Sequence, residues 1–562
     1  MEYSHNLDSL CPEVTDIICS VLPTSSLRSL RLVNHHLGAI ATKWAFQHIR
    51  LGAREGHSDY EHFVKVAQLK TLRPYVREVT CDTWLGPCAE EDSEFNFNLP
   101  QDFLRALPLL RCFKNVIAVH LRFSQRTKHV CTSGTDTETD DFRYRVLDTV
   151  FNCIAGTWAP ETQARLDQKL FGFNFTTNYA VPPSNAAPIP IRELTVSNLA
   201  DFDDKRLTDS KVFKYVLSMP SLTSLKLCIT QQQVDGNCDS EEQPESAIWF
   251  REKYDMFENM PHTWLSPSIA ANLRSLSLYS KDYWGWNPRM DFRAVLPGDG
   301  PESGLPQLRV LALGMYVFSH EWQFEWIASL GRMNGKGGLE EIYLDRCPIM
   351  VQARHQAPAG YGTRVVGTDA SGNDVSISNE GYYLLDGMEE QDTYDADLTV
   401  QDFPLRWHHV LPRWRQTMKA LKVFKMGQSS WNFAPRQTLD ARRLEQTAPK
   451  KPSDEHHLKH LLHHNNFRHF DRPSPPSLTQ ASKANVAKYR LGTGVDEDQR
   501  FRARYIYFDI TSGPSEWRDV YWPSRAHPRQ PPLGDDVRQR DVDEVSRIMA
   551  TVDGRRRGFK EV

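Results

Sequence analysis

Histidine residues are the first candidates for metal chemistry in this sequence. His320 and Glu321 begin an H-E-x-x-H pattern, which holds zinc through its two histidines, but Phe324 stands where the second histidine belongs. Four further histidines would share one helix face, where they could hold a metal ion: His456, His460, His463 and His464. Because proline-containing basic pairs bracket this cluster, we expect a solvated His-rich linker there rather than a metal site.

No motif for nucleophilic catalysis or phosphate binding is complete. The chain has neither a G-x-x-x-x-G-K-[ST] phosphate loop nor a G-x-S-x-G nucleophile elbow, and Gly492-Thr493-Gly494 stops short of a dinucleotide-binding pattern. Members of a catalytic triad can lie far apart in sequence, so an enzyme with an unrecognised site stays open as the more remote alternative. We expect a non-catalytic protein and assign no catalytic, cofactor-binding or metal-binding residue.

Two further clusters could bind a ligand, although each also has a purely structural interpretation. Tyr283, Trp284 and Trp286 could form a sugar- or peptide-binding loop, but we favour core aromatic residues that close a repeat. Three consecutive arginines at 555–557 could attract nucleic acid or an import receptor. For these arginines we favour a charged tail that frays into solvent.

Composition excludes several competing classes of protein. The 562 residues carry 67 Lys plus Arg against 71 Asp plus Glu, a formal charge of −4, so there is no basic excess for coating nucleic acid. No stretch is apolar for long enough to cross a bilayer, and the first residues lack the layout of a signal peptide. The ten cysteines form no C-x-x-C pair. We expect a protein of the cytoplasm, the nucleus or both, with neither nucleic acid nor membrane as a partner.

The first fifty residues show the clearest helical periodicity. Pro12 and Glu13 suit the start of a helix, which Pro23 then ends. Residues 24–26 can cap a second helix with an apolar face, and a third helix is predicted over 36–46. Three helices this short have little core of their own, so we expect them to gain stability from a neighbouring domain or a partner.

These helices resemble the F-box in the form found in filamentous-fungal proteins. Residues 7–51 carry the resemblance, through Leu10-Cys11-Pro12-Glu13-Val14, Ile17 to Leu22, Leu27-Arg28-Ser29-Leu30-Arg31-Leu32-Val33-Asn34 and Leu37 to Trp44. Two features depart from the family pattern: Cys11 replaces the usual first proline, and His35-His36 replaces a commonly basic pair. Because an F-box binds Skp1 and thereby joins a cullin-based ubiquitin ligase, the resemblance implies Skp1 and a cullin as partners.

The implied Skp1 interface consists of apolar side chains on helices, laid against an apolar groove of the partner. The anchor candidates are Leu10, Pro12, Val14, Ile17, Leu27, Leu30 and Val33. Some of them must instead fill the interior of the three-helix unit, and the sequence does not separate the two roles.

Beyond residue 70 an L-x-x-L-x-L pattern recurs, with other aliphatic residues substituting. Such a loose pattern is common by chance, but several copies follow a helical stretch and a proline-containing turn, as in leucine-rich repeats. Successive copies begin between 31 and 82 residues apart. Since a standard repeat has about 20–29 residues, these repeats are long, degenerate or interrupted. The copies begin at Val76, Val116, Ile191, Leu222, Leu273, Leu308, Leu339 and Leu421.

The predicted fold class is α/β: a small N-terminal three-helix F-box, then an irregular leucine-rich-repeat-like solenoid with a curved, mostly parallel sheet. A non-repetitive α/β domain is the alternative. If the repeated pattern marks strands, the residues between its aliphatic positions point to the concave face and are candidates for substrate binding. These candidates are Arg122, Lys226, Tyr279, Tyr343, Asp345 and Lys425.

Four parts of the chain follow from these patterns. Residues 1–51 are predicted as the F-box and 52–430 as the repeat domain with loop insertions. Residues 431–488 are predicted as a disordered His/Pro-rich linker or insertion, and 489–562 as a cap of strand and helix. The expected function is recruitment of an unknown protein substrate to a Skp1–cullin–F-box ligase for ubiquitination. A non-ligase F-box scaffold is the nearer alternative.

Overall fold

Helices and parallel strands alternate along most of the chain, as the α/β prediction requires. The computed structural model describes residues 10–22, 24–53, 58–83, 99–124, 127–128, 138–175, 177–182, 186–230, 251–295, 304–355, 362–368, 372–382, 399–427, 504–509, 513–516 and 535–558. These residues belong to two compact units. The first unit lies within Met1–Asn198 and Asp209–Leu222, and the second within Leu199–Thr208, Thr223–Pro435 and Gly492–Val562.

The elements of the described residues are named in chain order. The helices are α1 (Pro12–Val21), α2 (Thr24–Leu30), α3 (His35–Ala45), α4 (Ser58–Gln68), α5 (Gln101–Ala106), α6 (Asp140–Ala155), α7 (Pro160–Phe171), α8 (Lys205–Thr208), α9 (Lys211–Leu217), α10 (Arg251–Asn259), α11 (Pro267–Ala270), α12 (Glu321–Ser329), α13 (Trp407–Thr417) and α14 (Asp535–Arg556). The 3₁₀ helices are Arg73–Tyr75, Leu107–Cys112 and Phe292–Ala294. The strands are β1 (His48–Gly52), β2 (Glu78–Asp82), β3 (Ala118–Arg122), β4 (Thr127–Lys128), β5 (Glu138–Thr139), β6 (Glu193–Ala200), β7 (Ser224–Thr230), β8 (Ser275–Trp284), β9 (Val310–Tyr316), β10 (Glu341–Asp345), β11 (Ile349–His355), β12 (Thr363–Thr368), β13 (Asp374–Ser378), β14 (Thr399–Asp402), β15 (Val423–Gly427), β16 (Tyr505–Asp509) and β17 (Gly513–Glu516).

Parallel strands form the centre of the first unit. Its strands are neighbours in the order β1, β2, β3, β6, and each of these pairings is parallel. Since alternate residues of a strand face the same side, one side carries a buried apolar row in register: Ile49, Val79, Val119 and Leu194. Strand β1 begins within residues 1–51, shortly after α3, and belongs to the sheet.

Buried ion pairs are a second feature of the first unit. Asp82 on β2 pairs with both Arg50 and Arg122 on the neighbouring strands. On helix α6, Arg145 is fully buried and pairs with Asp167 on α7. Glu138 is also buried and accepts a hydrogen bond from Arg143 at 3.0 Å, although the acidic sequence around it suggests a solvated loop. Removal of one partner from such a buried pair would leave an uncompensated charge in the interior and destabilise the folded state.

Parallel strands also form the centre of the second unit, in the order β7, β8, β9, β10, β15. The fourth position of the repeated pattern makes a single buried row across all five strands: Leu225, Leu276, Leu311, Ile342 and Phe424. Gly314 on β9 lies against Tyr279 on β8, whose ring fills the place of a Cβ atom. All eight copies of the pattern, in both units together, coincide with strands, so the strand prediction is confirmed.

A second, smaller sheet of the second unit has no counterpart in the predicted repeats. Its strand order is β14, β11, β16, β17, and it mixes parallel and antiparallel pairs. Its buried core contains Trp286, Met350, Phe403, Ile506 and Phe508. Strands β12 and β13 form a separate antiparallel hairpin. The predicted C-terminal strand and helix correspond to β16 and α14.

The aromatic cluster and the arginine run both have structural roles. Trp284 and Trp286 are buried, and their indole Nε1 atoms donate to the carbonyls of Gly314 at 2.7 Å and Gly381 at 2.8 Å. The core interpretation of these tryptophans is therefore confirmed. The frayed-tail interpretation of the arginines is wrong for Arg555, which donates to two carbonyls at the end of α13.

The predicted linker at 431–488, with its four histidines, lies outside the described residues. Among the helices that the structure describes, none is long and apolar enough to cross a membrane.

Candidate functional site

The N-terminal site is built by helices α1, α2 and α3. Pro12 lies in the first turn of α1, where its missing N–H leaves no hydrogen bond unmade. Asn34 is the N-cap of α3, because its side-chain oxygen accepts a hydrogen bond from the backbone N–H of Leu37 at 2.8 Å. Helix α2 ends at Leu30, and residues 31–33 form the turn between that end and Asn34.

A small apolar interior holds the three helices together. Cys19, Leu27, Leu37 and Ala41 are buried there, and the Phe46 ring stacks on His62 of α4 with 5.7 Å between ring centroids. The unit therefore borrows part of its packing from the adjoining helix, as expected for helices this short. Burial raises the pKa of the Cys19 thiol, and the charge of Asp16 adds to this effect.

Asp16 ties α1 to α3 through polar contacts. Its carboxylate accepts from the indole Nε1 of Trp44 at 2.8 Å and pairs with the Lys43 ammonium at 3.0 Å. Slight burial opposes ionisation, but these two donors lower the pKa of Asp16 below its ordinary value. The carboxylate is therefore charged at neutral pH and fixes the orientation of the two helices.

Four large aliphatic side chains of the three-helix segment α1–α3 face solvent. The exposed fractions are 41% for Val14, 66% for Ile17, 88% for Leu32 and 62% for Val33. These are four of the thirteen exposed large hydrophobic residues in the described ranges, gathered within twenty residues of sequence. We call these four residues the N-terminal apolar surface. Exposed apolar side chains are typical of interaction sites where they lie together on the surface.

The structure separates the seven predicted anchors by exposure. Pro12, Val14, Ile17 and Val33 are exposed, Leu10 and Leu30 are half-buried, and Leu27 is buried in the interior. In addition, the most exposed residue of the apolar surface, Leu32, is absent from the predicted set. The spacing of Leu27, Leu30 and Val33 predicts one continuous helix face, but α2 ends before Val33. The capping residue Asn34 was the available signal for that ending.

Five of the six predicted substrate residues, all in the second unit, share a face of its strands. Lys226, Tyr343 and Lys425 occupy one row of the register, and Tyr279 and Asp345 occupy the next row on the same side. All of the six except Lys425 are buried, and Lys425 is half-buried. The alternation of side chains along each strand predicts which side of the sheet these residues share. It does not predict that this side is buried. A role in substrate binding stays a prediction for each of them.

Specific contacts account for the burial of several of these residues. Arg122 donates from Nε to Asp82 at 2.9 Å, and the Tyr343 hydroxyl donates to Glu341 at 2.7 Å. Burial raises the pKa of the Tyr279 hydroxyl well above its ordinary value, and the nearby Asp345 charge adds to this effect. The Arg122–Asp82 contact joins β3 to β2, whereas the Tyr343–Glu341 contact lies within β10.

His320, the start of the incomplete zinc motif, lies at the beginning of α12. The backbone N–H of His320 donates a hydrogen bond to the side-chain oxygen of Gln323 at 2.8 Å. The ring stacks on Tyr382 at 4.4 Å between centroids, and its Nε2 lies 2.9 Å from the carbonyl oxygen of Glu380. Across the described ranges, no cluster of three or more His, Cys, Asp or Glu residues could hold a metal ion.

Comparison with known proteins does not identify a family for this chain. No protein-family model matches it, and no curated protein matches it either.

Proposed function

We propose that this protein is the substrate-recognition subunit of a Skp1–cullin–F-box ubiquitin ligase. Helices α1 to α3 act as the F-box and bind Skp1, which in turn connects the chain to a cullin. The protein itself makes and breaks no bond. It raises the concentration of a bound target near the ubiquitin-conjugating enzyme, so that proximity accelerates transfer.

The N-terminal apolar surface is the observation that carries this proposal. The interior of the three helices is already filled by residues such as Leu27 and Leu37, so the exposed aliphatic residues are not needed for packing within the unit. Exposed apolar side chains on a short helix and on the turn after α2 suit an interface in which an apolar groove of a partner covers them. The residues that carry the F-box resemblance occupy the same three helices.

We also infer that the remaining body is leucine-rich-repeat-like. Its support is the parallel register of strands at every copy of the repeated pattern, with the aliphatic positions buried in rows. A repeat body would supply the substrate-binding surface of a receptor. The second sheet, β14-β11-β16-β17, would then be an addition at the C-terminal part of that body.

Co-purification with Skp1 tests the proposed interface. Full-length chain, tagged and co-expressed with Skp1, should retain it, whereas Ile17→Asp and Val33→Asp should reduce recovery by at least about tenfold. A charge placed at either position would be forced into an apolar groove without a partner charge. Both residues are exposed, so the substitutions should leave thermal stability nearly unchanged.

Leu69→Asp is the matched control, because Leu69 is an aliphatic residue of the same unit with 51% exposure that lies outside the three helices. This control should retain Skp1 as the wild type does. Retention of Skp1 by the Ile17 and Val33 variants would contradict the proposed interface.

Recovery of a cullin together with Skp1 separates a ligase receptor from a non-ligase scaffold. A receptor should bring down both, and at least one cellular protein should accumulate when the chain is deleted and decline when wild type is restored. Recovery of Skp1 without a cullin would favour the scaffold.

A further inference from the structure

Three arginines of the second unit meet beside the β12–β13 hairpin. Arg289 follows β8 in a tight turn, Arg293 belongs to the 3₁₀ helix Phe292–Ala294, and Arg364 lies on β12. These residues are 75 positions apart at their extremes in sequence, so the fold and not local sequence brings them together.

Two carboxylates hold the arginines in place. Glu258, at the end of α10, is shared: its Oε1 accepts from Arg289 at 2.8 Å, and its Oε2 lies 3.3 Å from a guanidinium nitrogen of Arg364. Asp291 is buried and accepts from Nε and Nη2 of Arg293 at 3.0 and 2.6 Å. The Arg293 guanidinium also lies over the Trp322 ring, 4.2 Å from its centroid.

Positive charge exceeds negative charge in this cluster. Three guanidinium groups are paired with two carboxylates, and no other described carboxylate forms an ion pair with them. Burial lowers the pKa of Arg364, and the neighbouring Arg289 charge lowers it further, as expected for like charges held together. An anion placed among the three groups would relieve this repulsion.

Hydrogen-bond donors of the cluster are also in excess. Arg289 is buried and uses its two terminal nitrogens for Asn379 and Glu258, but its buried Nε has no partner in the described structure. The buried hydroxyl of Tyr382, beneath the Arg289 guanidinium, likewise has none there. These two donors are therefore available to an acceptor that binds at the cluster.

Within the described part of the chain, the other titratable groups near the cluster add no negative charge. Burial lowers the pKa of His320 to about 4, so this ring is neutral near pH 7. Burial raises the pKa of Tyr382 well above its ordinary value, and the Asp291 charge adds to the effect, so its hydroxyl keeps its proton. Burial and the Arg364 charge lower the pKa of His262.

We propose that Arg289, Arg293 and Arg364 form a binding site for the phosphate group of a phosphate monoester. Arg289 is the most buried of the three, with a side chain that is only 6% exposed, while Arg293 and Arg364 are each 26% exposed. The side chains of Arg293 and Arg364 are therefore accessible to a ligand from solvent.

Phosphate fits this site better than a carboxylate does. A phosphate monoester carries about −1.5 to −2 charges at neutral pH and three strong acceptor oxygens. Its tetrahedral shape can accept from three guanidinium groups that approach from separate elements. A planar carboxylate accepts in one plane and matches the paired N–H groups of a single arginine. For Arg293, Asp291 already supplies such a carboxylate.

Calorimetric titration of the full chain tests the site. The probes are inorganic phosphate, glucose 6-phosphate, and a capped Gly–phosphoserine–Gly peptide with its unphosphorylated form. Wild type should bind at least one phosphate probe and not the unphosphorylated peptide. Arg364→Gln should weaken binding about tenfold or more, because it removes the charge-assisted hydrogen bonds of a partly exposed arginine. Arg364→Lys keeps the charge but not the planar fork, so it should cause a smaller loss and preserves a test if the first variant fails to fold.

Arg309→Gln is the control, because Arg309 is a partly exposed arginine of the same unit that pairs with Glu340 at 3.8 Å. Its affinity for the probes should equal that of wild type. Equal weakening by the Arg309 and Arg364 variants, equal binding of the unphosphorylated peptide, or no binding of any phosphate probe at millimolar concentration would overturn the proposal.

The probes also distinguish the source of the phosphate. Preference for the phosphopeptide would assign a phosphorylated protein, and preference for glucose 6-phosphate would assign a phosphorylated small molecule. Binding of inorganic phosphate in preference to both would assign the free ion. Each of these results supports the site and is independent of Skp1 binding, so failure of this proposal and failure of the proposed function are distinguishable.

Discussion

Replacing His320 with asparagine should remove a pH-dependent part of the stability of the second unit. The ring stacks on Tyr382, and its Nε2 lies 2.9 Å from the Glu380 carbonyl oxygen, so the neutral form with hydrogen on Nε2 fits this environment. Burial lowers the pKa of His320 to about 4 against the opposing effect of that hydrogen bond, and the Arg293 charge adds to the lowering.

The sign of the effect follows from which state binds the proton. An unfolded histidine has a pKa of about 6.5, so between pH 6.5 and 4 the unfolded chain binds a proton that the folded chain does not. The contribution of His320 is therefore complete above pH 6.5 and is lost as the pH falls toward 4. At about 1.36 kcal/mol for each pKa unit, wild type should lose roughly 2–3 kcal/mol between pH 7.5 and pH 4.5 through this group.

Urea unfolding at the two pH values measures this loss. Tryptophan fluorescence suits the assay, because Trp284, Trp286, Trp407 and Trp414 are buried in the second unit. Asparagine can still begin α12 but does not titrate in this range, so the wild-type loss should exceed that of His320→Asn by roughly 2–3 kcal/mol. Other titrating groups contribute equally to both proteins and cancel. An identical pH dependence in the two proteins would refute the reasoning.

Two further predictions concern stability in the first unit. Leu27→Ala should lower the free energy of unfolding by about 2–4 kcal/mol because it leaves a cavity among the three helices, whereas Leu32→Ala should change it by less than about 0.5 kcal/mol. Equal losses in thermal or chemical denaturation would contradict the assignment of interior and surface. Asp167→Ala should cost about 3–5 kcal/mol because it leaves Arg145 buried without its carboxylate. Restoration by the double variant with Arg145→Met would identify the unpaired charge as the cause.

Strands of the repeated pattern could be predicted because their signal is local. The spacing of Leu222, Leu225 and Leu227 places two side chains on the buried side of a strand and one in the turn before it. The same spacing in Phe46, Ile49 and Leu51 marks β1, which was assigned to the helical segment instead. A helix that leads directly into a strand leaves no boundary residue for sequence analysis to detect.

Burial of the strand face could not be predicted from the sequence. Arg122, Lys226 and Asp345 are polar, and polar residues on alternate positions ordinarily indicate a solvated side. Their burial depends on pairing across the fold, as between Arg122 and Asp82, which are forty residues apart. The arginine cluster of the second unit was missed for the same reason, since Glu258 and Arg364 meet only across 106 residues.

The helical anchors illustrate an intermediate case. Apolar periodicity correctly marked α1 and α2 as amphipathic helices, but it cannot distinguish a side chain that fills the interior of the three helices from one that faces solvent. The end of α2 decides the matter, because it turns Leu32 and Val33 away from the interior while Leu27 stays inside.

The bond between Arg555 and the end of α13 has a consequence for synthesis on the ribosome. Helix α14 contacts α13 and β15, and Arg555 binds the carbonyl of Met418, which is made 137 residues earlier. At about 5–20 residues per second, roughly 7–27 s pass between the emergence of the two partners. During that interval the carbonyl groups at the end of α13 lack this arginine partner. The contact between α13 and α14 therefore forms only after α14 has been translated.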